Sequence, residues 1–203
     1  MNMKKWLDDL KASDEKKTMP ILSFPGTQLI GADVGQVCSD SELQVRMMKA
    51  VADRVDSLAA VGLMDLSVEA ECFGAKVVKQ PDDVPTIREA LITDLETVKD
   101  LAVPEVGSAR SGIYIEGVEK LLRAVQDRPV FAGCVGPFSL AGRLTDVSEA
   151  MILCYEDPDN MKLLLEKCTQ FLISYVKAYK QIGAHGIVIA EPLAGVLSPA
   201  LAE

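Results

Sequence analysis

The sequence predicts an α/β fold and, within that class, the N-terminal part of a (β/α)8 TIM barrel. Short apolar segments alternate with longer segments of helical periodicity, an order that produces a parallel sheet with right-handed crossover connections. Four candidate strands lie near Ile21, Asp65, Phe131 and Val188, which is half the number in a closed barrel. An open doubly wound sheet shows the same alternation, but its nucleotide-binding versions are disfavoured because neither phosphate-loop motif occurs.

We expect residues 1–203 to form one incomplete barrel domain, with an N-terminal helix over residues 1–18 ahead of the barrel. The apolar run at residues 19–26 ends in proline and glycine, which fits a first strand followed by a turn. Ser41 is a candidate N-cap for a helix that extends to about Ala60, over which apolar residues recur at helical spacing.

The middle of the chain predicts a strand, a loop and two helices. Residues 63–69 alternate between apolar and polar side chains, which is typical of a strand. Residues 79–85 are rich in proline and aspartate and predict a loop, followed by a helix over residues 86–101. Residues 104–112 form a second loop by composition, and residues 116–126 have the apolar spacing of a helix.

The last third predicts two strands on either side of a long helix. Residues 129–135 form the third strand. Asp157 precedes Pro158, the pattern of a helix N-terminus, and Gly183 ends the helix that follows. Residues 184–190 are nearly continuous in apolar side chains, which predicts a strand covered on both faces.

Composition excludes several function classes. The chain of 203 residues is 49% hydrophobic and carries a net charge of −9, with no basic cluster, so nucleic acid is not an expected partner. No apolar run reaches the roughly 20 residues that cross a bilayer, and the N-terminus lacks a signal-peptide core, so a cytoplasmic location is expected. The five cysteines form no C-x-x-C pair, and the single histidine, His185, precludes a two-histidine metal site.

Polar side chains in the second predicted strand indicate a functional site. Asp65, Ser67 and Glu69 fall on one face of a strand that a barrel would bury, so we predict Asp65 as a catalytic residue and the other two as substrate-binding residues. The alternative is that all three only hydrogen-bond to neighbouring strands or loops.

Two further segments contain candidate site residues. Gly136, Phe138 and Ser139 lie where a strand leads into a helix, a junction whose free N–H groups can bind an anion, and we predict them to bind substrate. A tight turn explains the glycine equally well. Glu191 directly follows the fourth strand and is a candidate acid/base group, metal ligand or loop anchor, whereas His185 at the start of that strand is expected to be structural.

Three segments together resemble a known family. Residues 64–74 (MDLSVEAECFG), 136–142 (GPFSLAG) and 186–199 (GIVIAEPLAGVLSP) are similar to the uroporphyrinogen decarboxylase superfamily, especially its methylcobamide:coenzyme M methyltransferase branch, and the resemblance extends from about Pro20 to the end. It implies a (β/α)8 barrel and a zinc ion that binds and activates a thiol. The thiol then accepts a methyl group from a methylcorrinoid carried by a partner protein.

Two departures from the family pattern bear on function. Asp65 falls where the decarboxylases have a catalytic aspartate, but residues 21–30 lack the arginine that the decarboxylases use to hold substrate carboxylates, so the methyltransferase branch is favoured. The zinc-binding His-x-Cys pair and later cysteine of the methyltransferases would come after Glu191, and none is present. We therefore expect a truncated chain that is inactive alone and holds no cofactor, with zinc in the full-length parent.

Alternative functions stay open from sequence alone. The methyl donor, the acceptor and the direction of transfer are undetermined. A decarboxylase acting on a porphyrinogen would need basic residues around its site, and the sequence does not indicate any. A non-catalytic half-barrel could instead serve as a binding or assembly module, and its exposed sheet edges and apolar faces would favour self-association.

Overall fold

The structure, a computed structural model, describes residues 1–202 of the chain. Three short 3-10 helices, at Phe24–Gly26, Leu95–Asp100 and Ala194–Val196, occur between the main elements. The strands are β1 (Ala60–Val61), β2 (Val77–Gln80), β3 (Asp83–Ile87), β4 (Val130–Val135) and β5 (Gly186–Ala190). The helices are α1 (Met3–Ala12), α2 (Thr27–Ile30), α3 (Val34–Val37), α4 (Ser41–Arg54), α5 (Val68–Cys72), α6 (Ser111–Ala124), α7 (Pro137–Thr145), α8 (Val147–Glu156), α9 (Pro158–Gln181) and α10 (Pro199–Ala202).

A three-stranded parallel sheet in the order β1-β4-β5 is the centre of the fold, as expected for consecutive β/α units. Phe131 of β4 pairs with Val61 on one side and with Gly186 on the other. Strands β2 and β3 form a separate antiparallel hairpin. The prediction of a strand at residues 19–26 is wrong: the segment is irregular and ends in a 3-10 turn. Its two prolines lack the N–H groups that a sheet ladder requires.

The second helix and second strand differ from their predicted bounds. Helix α4 is capped by Asp40, whose Oδ1 accepts hydrogen bonds from Glu42 N (2.7 Å) and Leu43 N (3.1 Å), rather than by Ser41, and it ends at Arg54 instead of near Ala60. Strand β1 has only two residues, and the predicted strand at residues 63–69 is wrong. Asp65 Oδ1 accepts a hydrogen bond from Ser67 N. This bond stabilises a turn that leads directly into α5.

Residues 77–101 depart furthest from the prediction. The hairpin of β2 and β3 replaces the predicted loop and the start of the predicted helix, and a 3-10 turn at Leu95–Asp100 replaces its end. The β-branched residues of β3 favour an extended backbone, which the partner strand then stabilises. Leu95 and Val98, members of the predicted apolar stripe, are nevertheless buried.

The later elements follow the prediction closely. Helix α6 begins at Ser111, inside the predicted loop and five residues before its predicted start, and β4 begins one residue after its predicted start. Asp157 caps α9 by accepting from Asn160 N (3.3 Å), and Gly183 follows the helix with a φ of 91°. Helix α8 had not been predicted.

Strand β5 is not covered on both faces. It pairs with β4 on one side and has no second neighbouring strand in the part of the chain that the structure describes. Its residues are half-buried, and Ile189 is 58% exposed, whereas β4 in the middle of the sheet is almost wholly buried. Across residues 1–202, no helix combines the length and apolar character needed to cross a membrane.

Candidate functional site

Five polar residues form a buried group beyond the end of β1, which we call the Arg110 cluster: Asp65, Ser67, Glu71, Arg110 and Tyr114. The guanidinium group of Arg110 is its centre. Its Nη1 donates to Asp65 Oδ2, its Nη2 to Ser67 Oγ (2.8 Å) and its Nε to Glu71 Oε2 (2.5 Å). The side chain of Arg110 is 5% exposed. Its three acceptors therefore replace the hydrogen bonds to water that this cation loses on burial.

The Asp65 carboxylate is fully engaged by protein groups. Its Oδ1 accepts from Ser67 N (3.0 Å) and Ser67 Oγ (2.7 Å), while its Oδ2 accepts from Tyr114 OH (3.0 Å) and from Arg110. The side chain is 0% exposed. A carboxylate with two donors on each oxygen and no exposed surface is positioned to hold other residues in place.

The charges in this cluster compensate each other. Burial alone lowers the pKa of the Arg110 guanidinium, but the adjacent Asp65 carboxylate has the opposite effect and outweighs it, so the pKa is raised. Burial and the same carboxylate raise the pKa of Tyr114 well above its ordinary value. Arg110 therefore stays a cation and Tyr114 stays a hydrogen-bond donor throughout the physiological pH range.

Sequence reasoning did not identify Arg110 or Tyr114. The two residues are one helical turn apart at the start of α6, so both can reach the same carboxylate. Ala109, just before Arg110, has a φ of 45°, a backbone conformation uncommon for alanine. A single arginine inside a loop of small residues, directly before a helix, was the only signal available.

Glu69 lies apart from the Arg110 cluster, although the predicted alternation had placed it on the same face as Asp65. Its Oε1 accepts from Val135 N at the end of β4 (2.9 Å), and its Oε2 has no hydrogen-bond partner among the described residues. A cavity of about 10 Å³, lined in part by Glu69, Tyr114 and Cys134, adjoins it. Burial raises the pKa of Glu69 from its ordinary value of 4.5 to about 7.

A second group, the Glu191 cluster, consists of Gly136, Phe138, Ser139, Glu191 and Leu193. Glu191 Oε2 accepts from Phe138 N (2.9 Å), and its Oε1 accepts from Ser139 N (2.8 Å) and from the Ser139 hydroxyl. The N–H groups at the N-terminus of α7 therefore bind a carboxylate of the chain itself, and the binding of a substrate anion there stays a prediction. Ser139 Oγ also accepts from Leu193 N (3.2 Å).

Gly136 is required by this arrangement, because a Cβ atom there would collide with the Glu191 carboxylate. The side chain of Phe138 is buried in the core. Among the alternatives for Glu191, the contacts fit a loop anchor that joins the segment after β5 to the start of α7. The predicted substrate-binding and catalytic roles of these residues remain predictions.

A family comparison shows where the chain belongs. Residues 18–203 match the family model described as uroporphyrinogen decarboxylase (URO-D). The chain is a member of the uroporphyrinogen decarboxylase family. Two similar relatives have different activities. A methylcobamide:CoM methyltransferase of Methanosarcina acetivorans is 25% identical over 87% of this chain and 54% of its own length. A uroporphyrinogen decarboxylase of Ruthia magnifica is 25% identical over 85% and 51%, respectively.

A solved structure gives the fold of this uroporphyrinogen decarboxylase family member. A methyltransferase from Methanosarcina mazei superposes with a TM-score of 0.83 at 23% sequence identity, covering 96% of this chain and 60% of that one. The chain is therefore the N-terminal part of a TIM-barrel-like fold, as the sequence predicts. It spans about half the length of the curated relatives that it matches.

The structure places arginines near the site, although the sequence had not indicated any basic residues there. No arginine occurs at residues 21–30, but Arg110 is central to its cluster, and Arg88 and Arg143 line a cavity of about 170 Å³ near the end of β4. These arginines come from a loop, a segment after a hairpin and a helix. No local sequence motif connects them.

Neither a metal site nor a reactive thiol is found in this part of the family fold. Among the residues that the structure describes, no group of three or more His, Cys, Asp and Glu side chains could hold a metal ion. Cys134, the cysteine nearest a strand end, is buried, and burial raises the pKa of its thiol to about 12. His185 Nδ1 accepts from Val130 N (3.0 Å), a structural contact.

Proposed function

We propose that these residues belong to a corrinoid-dependent methyltransferase, which moves a methyl group between a methylcorrinoid protein and a small thiol or another small acceptor or donor. Family membership alone supports two activities, because the relatives include both methylcobamide:CoM methyltransferases and uroporphyrinogen decarboxylases at similar identity. The choice between the two activities therefore depends on the site.

The main support for the proposal is that the Asp65 carboxylate is fully hydrogen-bonded and has no exposed surface. Asp65 falls at the position where the resemblance places the catalytic aspartate of the decarboxylases. In this chain, both of its oxygens are occupied by Ser67, Tyr114 and Arg110, and its side chain has no exposed surface. A carboxylate in that state cannot approach a pyrrole ring without breaking an ion pair that is shielded from solvent, which would be costly.

The size and charge of the nearby cavity support the same choice. A cavity of about 170 Å³ is below the several hundred Å³ typical of sites for drug-sized ligands, and it suits a small molecule better than a tetrapyrrole. Its lining includes two arginines, and the segment at residues 21–30 adds none. A porphyrinogen with many carboxylates would need more cations than this.

The residues of this chain have binding and positioning roles in the proposal. The Arg110 cluster fixes the loop after β1 against the start of α6, and the Glu191 cluster fixes the segment after β5 against α7. Both clusters position their segments through hydrogen bonds, which are largely buried in the Arg110 cluster and part-buried in the Glu191 cluster. Zinc would keep a thiol substrate deprotonated, but the described residues do not fit a metal ion, so we derive no step through it.

A paired assay tests the proposal. The purified full-length protein to which these residues belong is incubated with methylcobalamin and coenzyme M in the presence of zinc chloride, and loss of the methylcobalamin absorbance is followed. A parallel reaction contains uroporphyrinogen, and its products are separated by chromatography. We expect methyl transfer and no decarboxylated porphyrinogen.

A binding measurement complements the assay because it does not require turnover. Uroporphyrin, the fluorescent oxidised form of the decarboxylase substrate, is titrated with the protein and its fluorescence is recorded. The proposal predicts no saturable binding at micromolar protein. Saturable uroporphyrin binding together with porphyrinogen decarboxylation would show that the chain belongs to the decarboxylase branch.

A further inference from the structure

Arg143, on α7, is a half-buried arginine whose charge has no direct partner among the described residues, in contrast to Arg110 and Arg128. The side chain is half-buried, yet among the described residues its guanidinium group makes neither a hydrogen bond nor an ion pair. Burial lowers the pKa of Arg143, and the carboxylates of Glu69 and Asp65 act only at longer range against that effect. A half-buried cation without a hydrogen-bonded counter-charge is partly desolvated, and an anionic ligand would compensate that loss.

Arg143 lines the cavity of about 170 Å³ described above. Leu66, Val135 and Leu193 provide apolar walls, and Ser139 lies one helical turn before Arg143 on the same face of α7. The cavity lies at the end of β4, where a parallel strand leads into its following helix. Sites for small ligands have this composition: mostly apolar walls with a few polar groups that fix orientation.

The acidic residues around the cavity are already engaged. Asp146 caps α8 by accepting from Ser148 N (2.9 Å), and Glu89 is exposed and lies 4.0 Å from Lys76 Nζ. The charge of Glu191 is taken up by the N-terminus of α7. Arg88, the other cation in the lining, is exposed to solvent. Arg143 is therefore the donor in this cavity that is best placed to bind a ligand.

We propose that Arg143 binds the anionic end of the small substrate, a carboxylate or sulfonate group, with the apolar part of the molecule against Leu66, Val135 and Leu193. The planar guanidinium group matches two oxygens of such a group with two parallel hydrogen bonds. This inference rests on the proposed function for the identity of the ligand as a substrate. The binding site itself does not depend on which reaction follows.

The cavity also connects the anion site to the Arg110 cluster. Leu66, the neighbour of Asp65, lines both this cavity and the 10 Å³ cavity beside Glu69. An anion held by Arg143 would therefore lie next to the segment that Arg110 fixes in place. That proximity explains why a buried, fully paired cluster is useful beside a binding cavity: it keeps one wall of the cavity rigid.

The test is an NMR titration of the purified chain with propionate, with ethanesulfonate and with uncharged propanamide, at constant ionic strength. We expect saturable shifts for both anions, centred on Arg143 and Ser139, and none for propanamide. Arg143→Gln should weaken anion binding at least about tenfold, since a charge-assisted pair is lost. Arg143→Lys should retain part of the affinity, and a difference between the two anions identifies the preferred group.

Matched variants make the result decisive. Arg123→Gln removes an exposed arginine of α6 and should leave binding unchanged, and Arg88→Gln should weaken binding less than Arg143→Gln does. Equal affinity in Arg143→Gln and wild type, or equal binding of propanamide, would overturn the proposal. Methyl transfer does not enter this measurement. Anion binding through Arg143 in this chain, together with decarboxylation of uroporphyrinogen by the full-length protein, would contradict the proposed function and leave the anion site standing.

Discussion

The negative charges of Asp65 and Glu191, the two carboxylates that the sequence predicts as catalytic, are compensated in different ways. Asp65 relies on a guanidinium group 45 residues away in sequence, together with a tyrosine and a serine. Glu191 relies mainly on backbone N–H groups at the start of a helix. The first arrangement depends on one side chain that cannot be replaced without leaving a buried charge. The second is supplied by the helix itself and should tolerate change better.

Removing the guanidinium group of Arg110 should have the largest effect on stability. Arg110→Met leaves the Asp65 carboxylate and Glu71 without their cation in a site shielded from water. The expected loss in the free energy of unfolding is about 3–5 kcal/mol, the cost of breaking a buried pair by removing one partner. This loss is measured by urea unfolding monitored by circular dichroism.

The matched control is Arg123→Met, which breaks the exposed ion pair with Glu119 on the same helix. That pair should contribute no more than about 0.5 kcal/mol. The double variant Asp65→Asn/Arg110→Met should lose less stability than the sum of the two single variants, because the charges compensate each other. Similar losses for Arg110→Met and Arg123→Met would contradict the view that Arg110 matters because its ion pairs are buried.

Glu69 is an intermediate case, because one backbone N–H group and no directly contacting cation compensate its charge. Its pKa in the folded chain, about 7, lies above the ordinary value of 4.5, so the folded state binds the proton more tightly than the unfolded state. The stabilising contribution is therefore complete below about pH 4.5 and is lost as the pH rises through about 7. The slope within this window is at most about 1.4 kcal/mol per pH unit.

Glu69→Gln should remove that pH dependence, since an amide resembles the protonated acid and does not ionise. Wild type and variant should have similar unfolding free energies below about pH 5, and the variant should be more stable by about 3 kcal/mol near about pH 8. Denaturant unfolding at both pH values provides the comparison, with the exposed Glu156→Gln as control for the loss of one carboxylate. A constant difference between wild type and Glu69→Gln at the two pH values would show that Glu69 does not titrate in this window.

The same contrast between local and distant partners explains which features sequence reasoning could predict. Strand β4, helix α9 and strand β5 have local signals, such as Asp157 before Pro158 and Gly183 after the helix, and the structure confirms them. The hairpin of β2 and β3 depends on pairing between two segments that look like a loop and a helix in isolation.

The residues of the candidate site also differ in whether the sequence could predict them. The free N–H groups at the start of α7 follow from a local motif, and their capacity to bind an anion could be predicted, although not that Glu191 would occupy them. Arg110 was missed because its acceptors lie 39, 43 and 45 residues away, at Glu71, Ser67 and Asp65. Periodicity within a segment contains no information about such partners. The resemblance of residues 64–74 to a family identified the correct segment even though its secondary structure was predicted wrongly.

The smallest effect should come from Glu191→Gln, which tests whether a carboxylate held by a helix N-terminus is the more tolerant of the two. The glutamine oxygen can still accept from Ser139, but the amide nitrogen would face Phe138 N, a second donor. One lost hydrogen bond and a lost charge–dipole interaction should together cost about 1–2 kcal/mol, measured by urea unfolding. In the control Asp40→Asn, a single oxygen accepts both cap hydrogen bonds and is retained, so the loss should be smaller. A loss for Glu191→Gln as large as that for Arg110→Met would mean that the helix does not compensate this charge, and the contrast with Asp65 would fail.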